Sequence, residues 1–126
     1  MDVVMIGVDP HKRSVTIEAR DTGEVLRATG SFPTTTAGYR AMLGYCRQWP
    51  TRVWAVEGAG GVGRPLAARL LADGERVLDV PAKLSARVRV LDVGQGRKTD
   101  ATDAHAVGIA ALRDRDQLTK PQRREP

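Results

Sequence analysis

Two aspartates three residues apart, Asp100 and Asp103, open an alanine-rich segment in the stretch GRKTDATDAHAVGIAALR, residues 96–113. Thr99 or Asp100 can cap the N–H groups that a starting helix leaves without partners, and acidic residues in the first turn interact favourably with the helix dipole. Residues three apart also share one face of a helix, so the same two carboxylates can hold a hard cation. The spacing alone does not decide between a helix cap and a metal site.

Two further carboxylates follow predicted strands. The apolar run VVMIGV, residues 3–8, predicts a buried strand that leads into Asp9, and RVWAV, residues 52–56, predicts another that leads into Glu57. If these strands are parallel neighbours, both carboxylates emerge at the carboxyl edge of the sheet, where sites form in open α/β folds. The helix that begins near Asp100 can then place its two carboxylates over the same edge.

Four carboxylates in one pocket repel each other strongly unless a cation neutralises them. Ligands that are all oxygen favour magnesium or manganese. Two such ions about 3.5–4 Å apart could hold the attacking and leaving oxygens of a phosphodiester. The candidate chemistry is therefore metal-dependent phosphodiester cleavage, and the candidate metal ligands and catalytic residues are Asp9, Glu57, Asp100 and Asp103.

The elements that must position these residues are predicted in the order β-β-β-α-β-α-β-α-α. Alternating apolar residues and turn chemistry place them as three strands near 3–8, 14–20 and 24–32, a helix within 33–49, a strand at 52–56, a helix at 63–74, a strand at 76–80, a helix that begins at 82, and a last helix from about 100. The first three strands form an antiparallel meander. Strands connected through helices lie parallel to one another, and short crossovers put the fourth strand beside the first.

The charge of the chain is uneven. Its 126 residues suit one domain and carry a formal charge of +5. Residues 1–82 have ten Lys and Arg against nine Asp and Glu, whereas residues 83–126 have ten against six. This basic excess favours a polyanion such as DNA as partner, although a merely solvated basic face has the same composition. The candidate nucleic-acid contacts are His11, Lys12, Lys83, Arg87, Arg89, Arg97 and Lys98.

Composition excludes several other classes. The single cysteine, Cys46, allows no internal disulfide and no cysteine-based zinc site. The sequence has no apolar run of bilayer-spanning length and no signal-peptide layout at its N-terminus, so a cytoplasmic location without a membrane partner is expected. Aromatic residues are few, 4% of the chain, which argues against an extended base-stacking surface for single strands.

A glycine-rich turn supports a rival interpretation. The stretch GAGGVG, residues 58–63, has the GxGxxG pattern after a strand and before a helix, and Asp79 follows at the distance of a ribose contact. The negative charge of Glu57, directly before the first glycine, would nevertheless face the pyrophosphate. The motif also normally opens its domain, whereas a meander and a helix precede it here. An NAD-binding Rossmann-like domain and a non-catalytic nucleic-acid-binding domain stay as alternatives. An actin-like sugar kinase would need a glycine-rich turn after Asp9, where this chain has DPHKR.

Four segments together carry a resemblance to a known family. They are IGVDPHKRSVTIEA, WAVEGAGGVGRPLAARLLADG, VLDVPAKLSARVR and GRKTDATDAHAVGIAALR, which cover most of residues 4–113. In this order they resemble the N-terminal RuvC-like domain of the DEDD-type insertion-sequence transposases, a group that includes the Piv-type DNA invertases and the bridge-RNA-guided recombinases. The resemblance implies an RNase H-like α/β fold, with Asp9, Glu57, Asp100 and Asp103 as the metal-binding tetrad.

The resemblance also implies partners and a domain plan. It implies DNA as substrate, a structured guide RNA as a further candidate partner, a homo-oligomer of the full-length protein, and a prokaryotic cytoplasm. Residues 1–116 are expected to form the RuvC-like domain and residues 117–126 a linker or frayed tail. The family's second domain supplies a serine nucleophile that nothing here matches, so strand exchange by this chain alone is not expected. His105 lies about 200° around the helix from Asp103 and is expected to be structural.

Overall fold

The elements of the fold follow one another in the predicted order. The computed structural model describes residues 3–59, 61, 63–93 and 100–114, and it describes side chains for 3–59, 61, 63–88 and 104–114. The elements are β1 (Val4–Pro10), β2 (Ser14–Arg20), β3 (Leu26–Pro33), α1 (Thr36–Cys46), β4 (Arg52–Glu57), α2 (Arg64–Ala72), β5 (Val77–Val80), α3 (Ala82–Val93) and α4 (Asp100–Asp114). The predicted tail, 117–126, lies outside the described residues. None of the described helices has the length and hydropathy needed to cross a bilayer.

The strands form one mixed sheet in the order β3-β2-β1-β4-β5. Strands β1, β2 and β3 pair antiparallel, whereas β4 pairs parallel with β1 and β5 parallel with β4. The predicted fold class, three antiparallel strands followed by two parallel ones in an RNase H-like sheet, is confirmed. The placement of β4 beside β1 is confirmed as well, and it brings the carboxyl ends of these two strands to one edge.

Several element ends differ from the prediction; β3, for example, runs from Leu26 to Pro33 and was predicted at 24–32. Strand β1 continues to Pro10 because Asp9 pairs with Thr16 and Pro10 with Val15 across the hairpin. Strand β4 likewise includes Glu57, which pairs with Val80. Both carboxylates therefore belong to the strands themselves, where backbone pairing fixes their direction. Helix α3, predicted only at its start, runs through to Val93.

The two faces of the sheet carry separate apolar cores. On one face, residues of β1 such as Ile6 and Val8 pack with α1 and α2, and the buried Cys46 belongs to this core. Burial raises the pKa of the Cys46 thiol to about 12, so the thiol stays protonated at neutral pH. On the other face, Met5 packs with β4, β5, α3 and the apolar side of α4. Because side chains alternate along a strand, Gly7 and Asp9 share the face of Met5 and therefore the face of α4.

A polar cluster closes the amino edge of the sheet. The Nε and Nη2 atoms of Arg52 donate to the two carboxylate oxygens of Glu75 at 2.7 and 2.8 Å. The indole N–H of the fully buried Trp54 donates to Glu75 Oε1 at 2.7 Å. Burial alone would raise the pKa of Glu75, but the hydrogen bonds from Arg52 and Trp54 outweigh it and lower the pKa below 4.5.

Replacement of Glu75 by glutamine is expected to reduce the free energy of unfolding by about 2 kcal/mol, because it leaves a half-buried guanidinium without its charge partner. Because the folded pKa is depressed, the contribution is present at neutral pH and fades as the pH falls below about 4.5 and through the folded value. Urea unfolding from pH 7 to pH 3 measures it. Glu24→Gln is the matched control, since Glu24 pairs with Arg113 at an exposed site and its loss should cost under about 1 kcal/mol. Equal losses in the two variants would contradict the expectation.

Candidate metal centre

Asp9 and Glu57 lie on the same face of the sheet at its carboxyl edge. Strands β1 and β4 pair in register, with Gly7 opposite Ala55. Asp9 and Glu57 each lie two residues beyond that pair, so both point to the side of α4, on strands that neighbour at about 4.8 Å. Both residues are half-buried. The register and alternation of the strands thus place Asp9 and Glu57 at the same edge and on the same face, and a metal site shared by the two carboxylates stays a prediction.

Helix α4 runs antiparallel to β1 and begins over this edge. Its middle lies on Gly7, where a Cβ atom would come 2.1 Å from the carbonyl oxygen of Ala104. Its far end is held at the opposite edge, where Arg113 Nη2 lies 3.0 Å from Glu24 Oε1 in the turn between β2 and β3. The turn that starts at Asp100 must therefore extend beyond Gly7 toward Asp9.

The remaining candidate residues fall outside the described side chains. The backbones of Asp100 and Asp103 form the first turn of α4, but their side chains, like that of Arg89, lie outside the described part, and Arg97 and Lys98 lie outside it entirely. Among the side chains that are described, no three His, Cys, Asp or Glu residues form a group that could hold a metal ion. The described portion of the centre is thus Asp9 and Glu57.

A histidine lies against the Asp9 carboxylate. His11 Nε2 is 2.6 Å from Asp9 Oδ2, and both atoms are shielded from solvent. The turn that carries His11 is held on two sides: its backbone N–H donates to Ser14, and the Thr34 hydroxyl donates to its carbonyl oxygen. The predicted contact of His11 with nucleic acid stays a prediction, and the structure adds its contact with one oxygen of Asp9. Lys12, the next residue, is exposed at the tip of the same turn.

The glycine-rich turn serves the fold. Gly58 adopts φ +63°, a conformation that favours glycine, and its N–H donates to the carbonyl of Val80. The Asp79 carboxylate accepts a hydrogen bond from the Ala59 N–H at 2.9 Å. In the NAD interpretation Asp79 would contact a ribose, but here it stabilises the turn, and the sheet order is that of an RNase H-like fold. The geometry therefore offers no support for the NAD alternative.

Two of the basic candidates share an exposed face of α3. Lys83 and Arg87 are four residues apart and both are exposed. Helix α3 packs on α4 on the same side of the sheet as Asp9 and Glu57. A basic face therefore lies on the side of the sheet that carries the described carboxylates.

Sequence comparison assigns the chain to a known family. A model of the DEDD transposases of the IS110 type, described as transposase, matches residues 6–126. The chain belongs to this DEDD transposase family. No curated protein matches the sequence. Among solved structures, this transposase chain is similar to RuvC of T. thermophilus in complex with a Holliday junction substrate. The TM-score is 0.66 at 17% identity, over 94% of this chain and 99% of that one. That likeness shows the RuvC-like, RNase H-like fold.

One buried polar cluster of the transposase chain escaped prediction. Glu18 pairs with Gly7 across β1 and β2 and is only 8% exposed, on the face of α4. His105 Nδ1 lies 2.8 Å from Glu18 Oε1, and Arg20 Nε contacts the same oxygen. These contacts tie α4 to β2 and agree with the structural role expected for His105. The sequence signal for this cluster was the alternation of SVTIEAR, which puts Glu18 on the other face of the strand from its apolar residues.

Proposed function

We propose that this DEDD transposase domain binds magnesium or manganese through Asp9, Glu57, Asp100 and Asp103 and cleaves DNA phosphodiesters. The placement of Asp9 and Glu57 on one face, under the first turn of α4, is the observation that supports the proposal most directly. The donors are all oxygens, which suits these ions. In the full-length protein the same centre would serve strand transfer. The resemblance to bridge-RNA-guided recombinases supports a homo-oligomer in the prokaryotic cytoplasm, with a structured RNA as further partner.

Each described residue has a defined task in this proposal. Asp9 is held by strand pairing and by His11, so one of its oxygens is fixed before any ion arrives. Glu57 is held by its pairing with Val80 and by the turn at Gly58 that follows it. When bound, divalent cations neutralise the carboxylates and stabilise the charge that develops on a phosphodiester. Pre-organised ligands reduce the cost of assembling such a centre.

Addition of manganese to the native chain is expected to raise its melting temperature. At a concentration 100 times the dissociation constant the gain is about 2.7 kcal/mol by mass action. Asp9→Asn should remove most of that gain, whereas Asp114→Asn, which makes the same charge change at the far end of α4, should retain it. Differential scanning calorimetry with manganese, magnesium and NAD measures the shifts. A shift with NAD and none with manganese would favour the dinucleotide alternative.

DNA binding is expected to be electrostatic and to involve the basic face of α3. Replacement of both Lys83 and Arg87 by alanine should reduce the slope of log K against log salt by about 2, since each phosphate contact contributes about 0.9. Replacement of Arg40 and Arg47 removes the same charge from the opposite side of the sheet and should change the slope by less than about 1. Fluorescence anisotropy over a salt series measures both. Identical slopes in the two double variants would place the DNA elsewhere.

A further inference from the structure

A cleft of about 460 Å³ opens on the face of the sheet opposite to α4, close to the carboxyl edge. It lies between the turn that follows β1, the end of β3, the start of α1 and the first turns of α2. Its walls are largely apolar, formed by Val15, Phe32, Met42 and Leu66, and its polar groups come from His11, Thr34, Thr36 and Arg69. Its volume lies in the range of pockets that bury a small planar ligand.

The charge of the cleft suits an anionic ligand with an apolar part. Among the described residues, its lining contains Arg69 and His11 and no carboxylate. Arg69 lies over the ring of Tyr39, with its guanidinium carbon 4.1 Å from the ring centroid. Burial and the nearby Asp73 raise the pKa of Tyr39 well above its usual value, so its hydroxyl stays protonated and donates to Asp73 at 2.6 Å. Tyr39 is thereby fixed, and Arg69 is held on a rigid platform.

One side chain, His11, links the cleft to the candidate metal centre. His11 lines the cleft and also contacts Asp9 at 2.6 Å. A DNA strand with a phosphodiester at Asp9 would have to pass around the carboxyl edge of the sheet, past His11, to bring a neighbouring nucleotide to the mouth of the cleft. A nucleotide combines an anionic phosphate with a flat, largely apolar base, the two features that the lining accommodates.

We propose that this cleft receives one unpaired nucleobase next to the phosphodiester that the proposed centre cleaves, with Arg69 as the contact for the adjoining phosphate. The inference rests on the proposed function and adds a subsite to it. A single half-open cleft is compatible with a chain that has few aromatic residues, because it would hold one base and would not stack a run of them. A base that is already unpaired costs least to insert, so the subsite selects DNA with unpaired or distorted positions over intact duplex.

Photocross-linking tests the subsite on the native chain. Single strands and four-way junctions that carry 5-iodouracil, scanned over positions next to the branch point, are irradiated with the protein, and the adducts are mapped by mass spectrometry. The expected adduct lies on Phe32 or Tyr39 and arises from one position only. Tyr45 is the internal control, because it is 40% exposed but lies outside the cleft. An adduct on Tyr45, or DNA binding without any adduct in the cleft, overturns the subsite and leaves the proposed function intact.

Two variants separate the subsite from general charge effects. Arg69→Gln should weaken binding to the unpaired strand about fivefold, whereas Arg40→Gln, with the same charge change outside the cleft, should weaken it less than about twofold. Leu66→Arg should suppress the cleft adduct without changing the molecular mass, and hence the oligomeric state, of the protein in analytical ultracentrifugation. A change in that mass would show that a second copy occupies the cleft and would overturn the proposal. If the native chain binds no DNA even at low salt, the subsite and the proposed function fail together.

Discussion

Replacement of Gly7 by alanine is expected to lower the free energy of unfolding by about 3 kcal/mol or more, although it adds a single methyl group. The new Cβ atom would lie 2.1 Å from the carbonyl oxygen of Ala104 and 2.7 Å from the nitrogen of Gly108. Both neighbours are backbone atoms of α4, so no side chain can rotate out of the way. The helix as a whole must lift from β1, and the apolar contacts beneath it are lost.

Two other glycines provide the controls for this prediction. Gly44, on the exposed side of α1, has no atom within 4 Å of a Cβ built on it, so Gly44→Ala should stabilise the chain by up to about 1 kcal/mol. Gly108→Ala should fall between the two, because its Cβ would lie 3.3 Å from the Cα of Gly7. Chemical denaturation of the three variants gives the order. A loss at Gly7 no larger than that at Gly108 would contradict the direct contact of helix and strand.

The same variant should also weaken the proposed metal centre. Helix α4 carries Asp100 and Asp103 in its first turn, and its distance from β1 sets their distance from Asp9. Manganese should therefore raise the melting temperature of Gly7→Ala by less than it raises that of the native chain. The exposed variant Gly44→Ala should keep the full gain. Retention of the full gain in Gly7→Ala would mean that the ligands do not depend on the seating of α4.

Periodicity and turn chemistry were sufficient to predict the order of the elements. The alternation in SVTIEAR predicts β2 with its observed bounds, Ser14–Arg20, and the apolar runs before Asp9 and Glu57 predict the two parallel strands. These signals are local, because the pattern of buried residues along a strand repeats within a few residues, whether one face or both faces are buried. The right neighbour for β1 followed from connection rules and needed no knowledge of contacts.

Features that depend on distant parts of the chain could not be predicted in this way. Gly7 reads as an ordinary residue of a buried strand, because the helix that requires it begins more than 90 residues later. The contact between Glu18 and His105 has the same origin, because its partners are 87 positions apart in the sequence. Helix α3 was uncertain beyond its start because AKLSARVRVLDV has no continuous apolar face. The cleft is lined by residues from five separate elements, β1, β2, β3, α1 and α2, and the sequence of no single element indicates it.

The chain alone is expected to nick junction DNA at most slowly, with manganese, and Asp9→Asn or Glu57→Gln should reduce any such rate about 100-fold or more. Each substitution removes one of the proposed metal-binding charges from a strand end whose backbone is held by pairing. Asp114→Asn again serves as the control for charge and should keep the native rate. Labelled DNA on denaturing gels measures nicking, and native rates in both site variants would remove these carboxylates from the reaction.

The same gels decide which nucleophile the chain uses. Residues 1–126 contain three serines, Ser14, Ser31 and Ser85, and none of them matches the family's nucleophile. Ser85 is completely buried in α3 and cannot reach a DNA strand without unfolding. Water is then the ready nucleophile, so the expected product is free nicked DNA without a protein-linked band. A band that resists denaturation and maps to one of these serines would show that the chain stores the cut end itself. Loss of that band in Asp9→Asn would tie this serine chemistry to the carboxylate centre, and its survival there would separate the two.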